Sequence, residues 1–342
     1  MRPLVLLLLL FSARAQAQWV GLPSGTDADL RGLSVASATA VWASGARGTV
    51  LRSTNGGKTW TIDTIPGASK LDLRAIAATS RNVAHAMSVG DSSRIFRTVD
   101  GGRTWSLRYT SLRKGSFLDA IRFFDSKHGI AMSDPVDGHF LLVTTQDGGD
   151  TWQEVPAERL PPTLPDERAY AASGSGIAVF GQHDVWFVSG GATSARVFHS
   201  TGRGSTWTVS DTPIRAGIRS AGIFSVAFRD TKHGVIAGGD YRQPNLRGRN
   251  LALTSDGGAT WTVVDSTTSP GGFRSAVAFV PKTHGQKLVA VGLNGTDVSS
   301  DGGRTWALVD STAYNSVAFA SRTAGFAVGS MGRVARFAEK RR

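Results

Sequence analysis

The chain has 342 residues, with Lys+Arg 38 against Asp+Glu 26, a formal net charge of +12, and Cys 0. The missing cysteines exclude disulfides, thiol chemistry and cysteine-ligated metal sites. Gly 41 and the lack of any long segment with helical periodicity point to a turn-rich, all-β protein.

At the N-terminus, Met1-Arg2-Pro3 precedes an apolar run, 4–11, that is too short to span a bilayer, and Ala15-Gln16-Ala17 has the small-x-small form of a cleavage site. Residues 1–17 are therefore read as a secretory signal peptide, with 18–342 as the mature domain. Without Arg2 and Arg14 the balance is 36 against 26, or +10. The expected location is the bacterial periplasm or the exterior, and no later stretch is apolar and long enough to form a transmembrane segment. A basic exported protein fits either simple solubility or an acidic partner. Nucleic acid is not expected, because export separates the chain from it and no basic run is interleaved with aromatics.

The first repeated phrase is Ser53-Thr54-Asn55-Gly56-Gly57-Lys58-Thr59-Trp60. It returns with Trp105, Trp152, Trp207, Trp261 and Trp306, at separations of 45, 47, 55, 54 and 45 residues, a period typical of propeller blades. Each copy lies between short apolar β-type stretches, so it is predicted to be a hairpin turn. Gly-Gly supplies positive φ, and the Asp or Asn before it accepts hydrogen bonds from its own turn. The tryptophan should pack between neighbouring sheets, with its N–H on a backbone partner.

Seven inner strands are predicted, at Leu33-Ser34-Val35-Ala36, Ala75-Ile76-Ala77, Ala120-Ile121-Arg122-Phe123, Ile177-Ala178-Val179-Phe180, Ser225-Val226-Ala227-Phe228, Ser275-Ala276-Val277-Ala278-Phe279 and Ser316-Val317-Ala318-Phe319. The seventh unit stops without a Trp-led fourth strand. The segment Gln18-Trp19-Val20-Gly21-Leu22-Pro23 resembles those strands and can supply it, closing a single seven-bladed β-propeller with no open sheet edge.

Two insertions break the period, a Pro-rich connection over 156–168 and a polar loop over 241–250, and insertions in repeat proteins collect on the binding face. Strand alternation puts the Gly-Gly turns, and the 1-to-2 turns carrying His128, His233 and His284, on the opposite face. On the inserted face, arginines precede the inner strand in five blades: Arg31, Arg74, Arg168, Arg219 and Arg274. The first three have Asp29, Asp72 and Asp166 two residues earlier, so local pairing is the plain alternative there, and exposed pairs contribute little. Arg219 and Arg274 lack such a neighbour. With Arg196, Arg242, Arg247 and Arg249, and with Arg168, they are read as a basic partner-binding sector. Asp134, Asp137, Asp240 and Tyr241 share this face and are the candidate catalytic groups of a glycosidase, although Asp-Pro and Asp-Gly loops are also ordinary turn chemistry. No nucleophile elbow, metal-binding helix or phosphate loop is present, and neither a cofactor nor a metal is expected.

The repeat, Ser/Thr-x-Asp-Gly-Gly-x-Thr-Trp, resembles the Asp-box or bacterial neuraminidase repeat, and its number and arrangement from Trp19 to Phe337 resemble the propellers of the photosystem II assembly and stability factors. That resemblance implies a seven-bladed, non-enzymatic, exported propeller whose arginine patch engages a membrane-protein client, with Arg219 and Arg274 as the best-fitting positions. The fourth copy departs, with Gly202-Arg203 in place of Asp-Gly, and its turn is expected to be looser. Asp-boxes also occur in sialidases and other glycan hydrolases, which leaves a glycan-processing hydrolase as the alternative to a protein-binding scaffold; the Arg-Ile-Pro segment of sialidases is missing. The expected partner is an acidic protein or membrane-protein client, or else a glycan, and the expected state is a monomer.

Overall fold

The computed structural model describes residues 19–338; the expected signal peptide and Gln18 lie outside the described residues. The chain forms seven four-stranded antiparallel sheets, and the only helical element among the described residues is one 3-10 turn, Ala157–Arg159. The innermost strands are Leu30–Val35, Ala75–Ala78, Leu118–Phe123, Ile177–Phe180, Ala221–Phe228, Ala276–Phe279 and Ser316–Ser321. They follow the small-apolar runs read from the sequence.

Blade 7 is completed as expected. Trp19–Leu22 pairs antiparallel with Val334–Phe337, with Trp19 opposite Phe337. The Trp19 indole packs against blade 6 in a cluster with Val289 and Val291, and its N–H donates to Thr296 Oγ1 at 3.0 Å. A ring of sheets that returns its first strand to its last blade leaves no unpaired ladder exposed there.

The repeated turns close on themselves through hydrogen bonds. In blade 3 the Thr145 hydroxyl accepts from the Gly149 amide at 2.9 Å and donates to Asp147 at 2.8 Å, while Asp147 accepts from the amide and hydroxyl of Thr151. Blades 2, 5 and 6 repeat the arrangement around Asp100, Asp256 and Asp301. Those bonds favour the ionised form, and Asp100 and Asp256 are pulled down to about 2, chiefly by the Thr104 and Thr260 hydroxyls. In the fourth copy only the bonds to the hydroxyl survive, with Ser200 Oγ accepting from the Gly204 amide at 2.9 Å and the Gly202 amide at 3.2 Å, and Arg203 adopts a φ of 56° where other copies have glycine. Each Gly-Gly turn also donates to its own blade's 1-to-2 turn, as Gly148 does to the Lys127 carbonyl at 2.8 Å, so both sets of turns lie on one face. His128 and His233 sit in those turns against Asp125 and Asp230.

The tryptophans pack on the second strand of the preceding blade. Trp105 meets Trp42 edge-on at 6.2 Å, Trp60 meets Phe326 at 6.5 Å, and Trp152 meets His85 at 6.4 Å. Trp207, Trp261 and Trp306 share clusters with Ile130, Trp186 and Val235. Their N–H groups behave less uniformly than expected. Those of Trp207, Trp261 and Trp306 donate to the carbonyls of Gly204, Gly258 and Gly303, whereas those of Trp60, Trp105 and Trp152 have no partner among the described residues. The gain there comes from buried area rather than from a hydrogen bond.

The longer connection between blades 3 and 4 crosses the axis of the ring. Ser173 Oγ donates to the Ser275 carbonyl of blade 6 at 2.8 Å, the Ser316 hydroxyl of blade 7 donates to the Ser173 carbonyl at 3.2 Å, and Ser175 Oγ donates to Ser225 Oγ of blade 5 at 2.8 Å. Gly174, at φ 66°, passes so close to blade 2 that a Cβ there would lie 3.1 Å from the Ala75 methyl. Residues 169–175 thus plug the central channel and divide it into an upper and a lower space.

Candidate functional site

Above the plug, on the face away from the Gly-Gly turns, lies a cavity of about 750 Å³. Its floor is Ala169, Tyr170, Ala171 and Ala172, and its walls come from the residues just before the inner strands and from the 2-to-3 loops. Tyr170 stacks on Phe224 at 3.9 Å, and its hydroxyl donates to the Ala221 carbonyl at 2.9 Å. Burial pushes that phenol well up, so Tyr170 is a neutral wall group.

Five arginines line the cavity: Arg31, Arg74, Arg168, Arg219 and Arg242. The local pairing expected for the first two is present, with Arg31 3.0 Å from Asp29 and Arg74 2.6 Å from Asp72. Arg168 breaks the expected pattern. Asp166 turns outward in the left-handed region at φ 62°, and the neighbouring acid, Glu167, goes instead to Arg196. Among the described residues Arg168, Arg219 and Arg242 make no ion pair within 4.0 Å, and Arg219 and Arg242 are exposed. Arg168 and Arg219 both act electrostatically on Asp134.

The basic sector read from the sequence is divided by the structure. Arg274, expected to be unpaired at the opening, is fully buried: its Nε donates to Asp297 at 2.7 Å, and its Nη1 reaches the Phe273 carbonyl and Asn294. Arg196 is likewise buried, donating to Glu167 at 2.8 Å and to the Pro162 carbonyl at 3.0 Å. Both are structural cations paired with acids 23 and 29 residues away in sequence. Arg247 and Arg249 lie outside the cavity, and Arg249 Nε donates to the Pro213 carbonyl at 2.9 Å.

The candidate carboxylates also rearrange. Asp137 is at the rim, 2.8 Å from Arg113, and does not line the cavity with Asp134. Asp240 is buried and caps the blade 5 insertion, accepting from the Arg242 amide at 2.9 Å. Tyr241 lines the cavity and is 40% exposed. The partner of Asp134 is Asp119, which the sequence reading passed over. Asp119 is buried, lines the cavity, and neither of its carboxylate oxygens has a hydrogen-bond partner. Burial pushes Asp119 well above the usual carboxylate range, the charge of Asp134 adds to that, and Arg74 offsets it only in part. Asp134 accepts from the Ala169 amide at 2.8 Å, yet burial raises it to about 6 against the pull of Arg168 and Arg219. A signal for Asp119 exists in the repeat: it stands before Ala120-Ile121 where Arg31 and Arg74 stand before Gly32-Leu33 and Ala75-Ile76. Among the described residues no group of three or more His, Asp or Glu could hold a metal.

The fold and the cavity define a class: a seven-bladed β-propeller closed by its N-terminal strand, with a plugged channel and an arginine-lined mouth. Among solved structures, the chain is similar to YCF48 bound to a D1 peptide, with a TM-score of 0.63 and 17% identity over 97% of this chain and 100% of that one. It is also similar to YCF48 from Cyanidioschyzon merolae, at 0.67 and 19% over 94% and 99%, and to the GH74 xyloglucanase from Xanthomonas campestris, at 0.66 and 16% over 93% of this chain and 53% of that one. At these identities the likeness is one of fold. No family model and no curated protein matches the chain.

Proposed function

We propose that the mature chain is an exported, non-catalytic propeller that holds a carboxylate-bearing segment of a partner protein in the cavity mouth. Its role is assembly or scaffolding in the periplasm or outside the cell, as a monomer, for an acidic protein or membrane-protein client. The observation that carries this is the division among the cavity arginines: Arg31 and Arg74 are neutralised in place, whereas Arg168, Arg219 and Arg242 have no ion pair among the described residues. Unpaired guanidinium groups around a concave surface favour carboxylates through two-pronged hydrogen bonds. The resemblance of the repeat to photosystem II assembly factors and the likeness of fold to YCF48, seen with a D1 peptide, support a protein partner. The test is capture of a client from envelope extract by the purified mature protein. The Arg168→Glu/Arg219→Glu double variant should lose the client while remaining folded, and capture by the wild type should weaken with salt. Equal capture by the double variant would overturn the proposal.

A second reading, a glycan-processing hydrolase, is favoured by one observation, the shared cavity of Asp119 and Asp134. A buried acid held protonated beside a carboxylate ionised above about pH 6 is an arrangement that glycosidases use. Release of reducing sugar from xyloglucan or another glycan, lost in Asp119→Asn and in Asp134→Asn, would establish it.

A further inference from the structure

Below the plug the channel opens toward the Gly-Gly face through a second cavity of about 350 Å³. Blades 1, 2, 3 and 7 line it, through Ser34, Ala77, Arg122 and Ala318 among others, and the ladder registers show the equivalent position in every blade. Ser34 pairs with Trp42, Ala77 with His85, Arg122 with Ile130, Ala178 with Trp186, Ala227 with Val235, Ala278 with Val289 and Ala318 with Phe326. Six blades therefore place serine or alanine at the position where blade 3 places an arginine.

Arg122 lines this cavity, and its side chain has one hydrogen-bond acceptor, the carbonyl of Ile121 next to it in the chain, at 2.9 Å. The acid closest in sequence that also lines the cavity is Asp125, and its carboxylate is already engaged. It accepts from the Lys127 and His128 amides at 2.7 and 2.8 Å and faces His128 Nδ1 at 2.8 Å. Among the described residues Arg122 forms no ion pair. Burial alone lowers its guanidinium to about 10, and no carboxylate opposes that shift. Arg122 is half-buried, so its guanidinium is partly desolvated without a counter-charge, and small side chains around it leave room for a compensating group.

We propose that the lower channel is a binding site for a small oxyanion, an inorganic phosphate or sulfate or a small carboxylate, seated on the Arg122 guanidinium. The fork of a guanidinium matches two oxygens of such an ion, and the small residues Ser34, Ala77 and Ala318 that line the cavity with it give it space. The site is separate from the arginine-lined cavity above the plug and does not depend on what that cavity binds. An ion there would offset a charge that the ring otherwise carries unpaired, so its occupancy should appear as stability.

The test is thermal unfolding of the mature protein at constant ionic strength, with chloride replaced stepwise by phosphate, sulfate or acetate, together with ³¹P line broadening of phosphate. Wild type should show a saturable rise in Tm and saturable broadening. In Arg122→Met both should vanish, and its Tm without oxyanion should equal or exceed that of wild type, because an uncompensated charge has gone. Arg122→Lys, which keeps the charge but not the fork, should bind at least tenfold more weakly and guards against misfolding of the methionine variant. A rise with acetate but not with phosphate or sulfate assigns the site to carboxylates, and the reverse to inorganic oxyanions. No saturable effect in wild type, an equal effect in Arg122→Met, or an effect lost instead in Arg168→Glu/Arg219→Glu would overturn the proposal.

Discussion

The two faces of the ring use the same residue type in opposite ways. On the Gly-Gly face, Asp100 and Asp256 each lie within a closed set of local donors and are held at about 2. On the cavity face, Asp134 is raised to about 6, Asp119 is pushed well above the usual carboxylate range, and both Asp119 oxygens lack a donor. The same contrast separates the arginines. Arg196 and Arg274 are buried and saturated, whereas Arg168, Arg219 and Arg242 stand around a cavity with no ion pair among the described residues. Groups satisfied within the fold hold it together, and groups left unsatisfied at a concave surface are available to a ligand.

The largest effects should come from the groups buried within the fold. Trp152→Ala removes a buried indole that packs between blades 2 and 3 and should cost about 3–5 kcal/mol in chemical denaturation. Arg274→Met, which strands Asp297 in the core, should cost a similar 3–5 kcal/mol. Thr145→Ala deletes the hydroxyl that both accepts from Gly149 and donates to Asp147, and should cost about 1–2 kcal/mol. In each variant that stays folded, client capture should equal that of wild type; loss of capture at unchanged Tm in Trp152→Ala or Thr145→Ala would place function on the Gly-Gly face.

Titration should separate the faces by sign. Asp134 has a folded value above its unfolded one, so its contribution is fully present below about pH 4 and is lost as pH rises to about 6. Asp134→Asn should therefore gain stability relative to wild type between pH 4 and 7. Asp100 is the reverse: its contribution is present above about pH 4 and is lost as pH falls toward 2, so Asp100→Asn should be less stable than wild type at pH 7 and converge with it near pH 2. Parallel pH profiles for the two variants would contradict the contrast. The smallest effect on stability is expected for Arg219→Glu, within about 0.5 kcal/mol of wild type, because that side chain is exposed at the mouth.

What the sequence made legible was what it repeats or what acts within a few residues. The seven inner strands, the closing strand at Trp19, the turn aspartates that accept from their own turn and the Arg31–Asp29 and Arg74–Asp72 pairs are all of this kind. Partners far apart in the chain were not visible: Asp297 is 23 residues from Arg274, and Glu167 is 29 from Arg196, so two buried cations looked free. The plug at 169–175 occurs once, and its small residues, Ala171-Ala172-Ser173-Gly174-Ser175, carry no repeated pattern; only its contacts with blades 2, 5, 6 and 7 place it across the axis. Asp119 was overlooked because it breaks a repeated position instead of forming a motif.

The most direct test of the central claim is calorimetric titration of a glutamate-rich peptide into the mature protein and into Arg168→Glu/Arg219→Glu at low and at physiological salt. The account expects saturable binding to wild type that weakens as salt rises, and none to a double variant whose Tm is unchanged. Equal affinity for both proteins, or binding indifferent to salt, would contradict it.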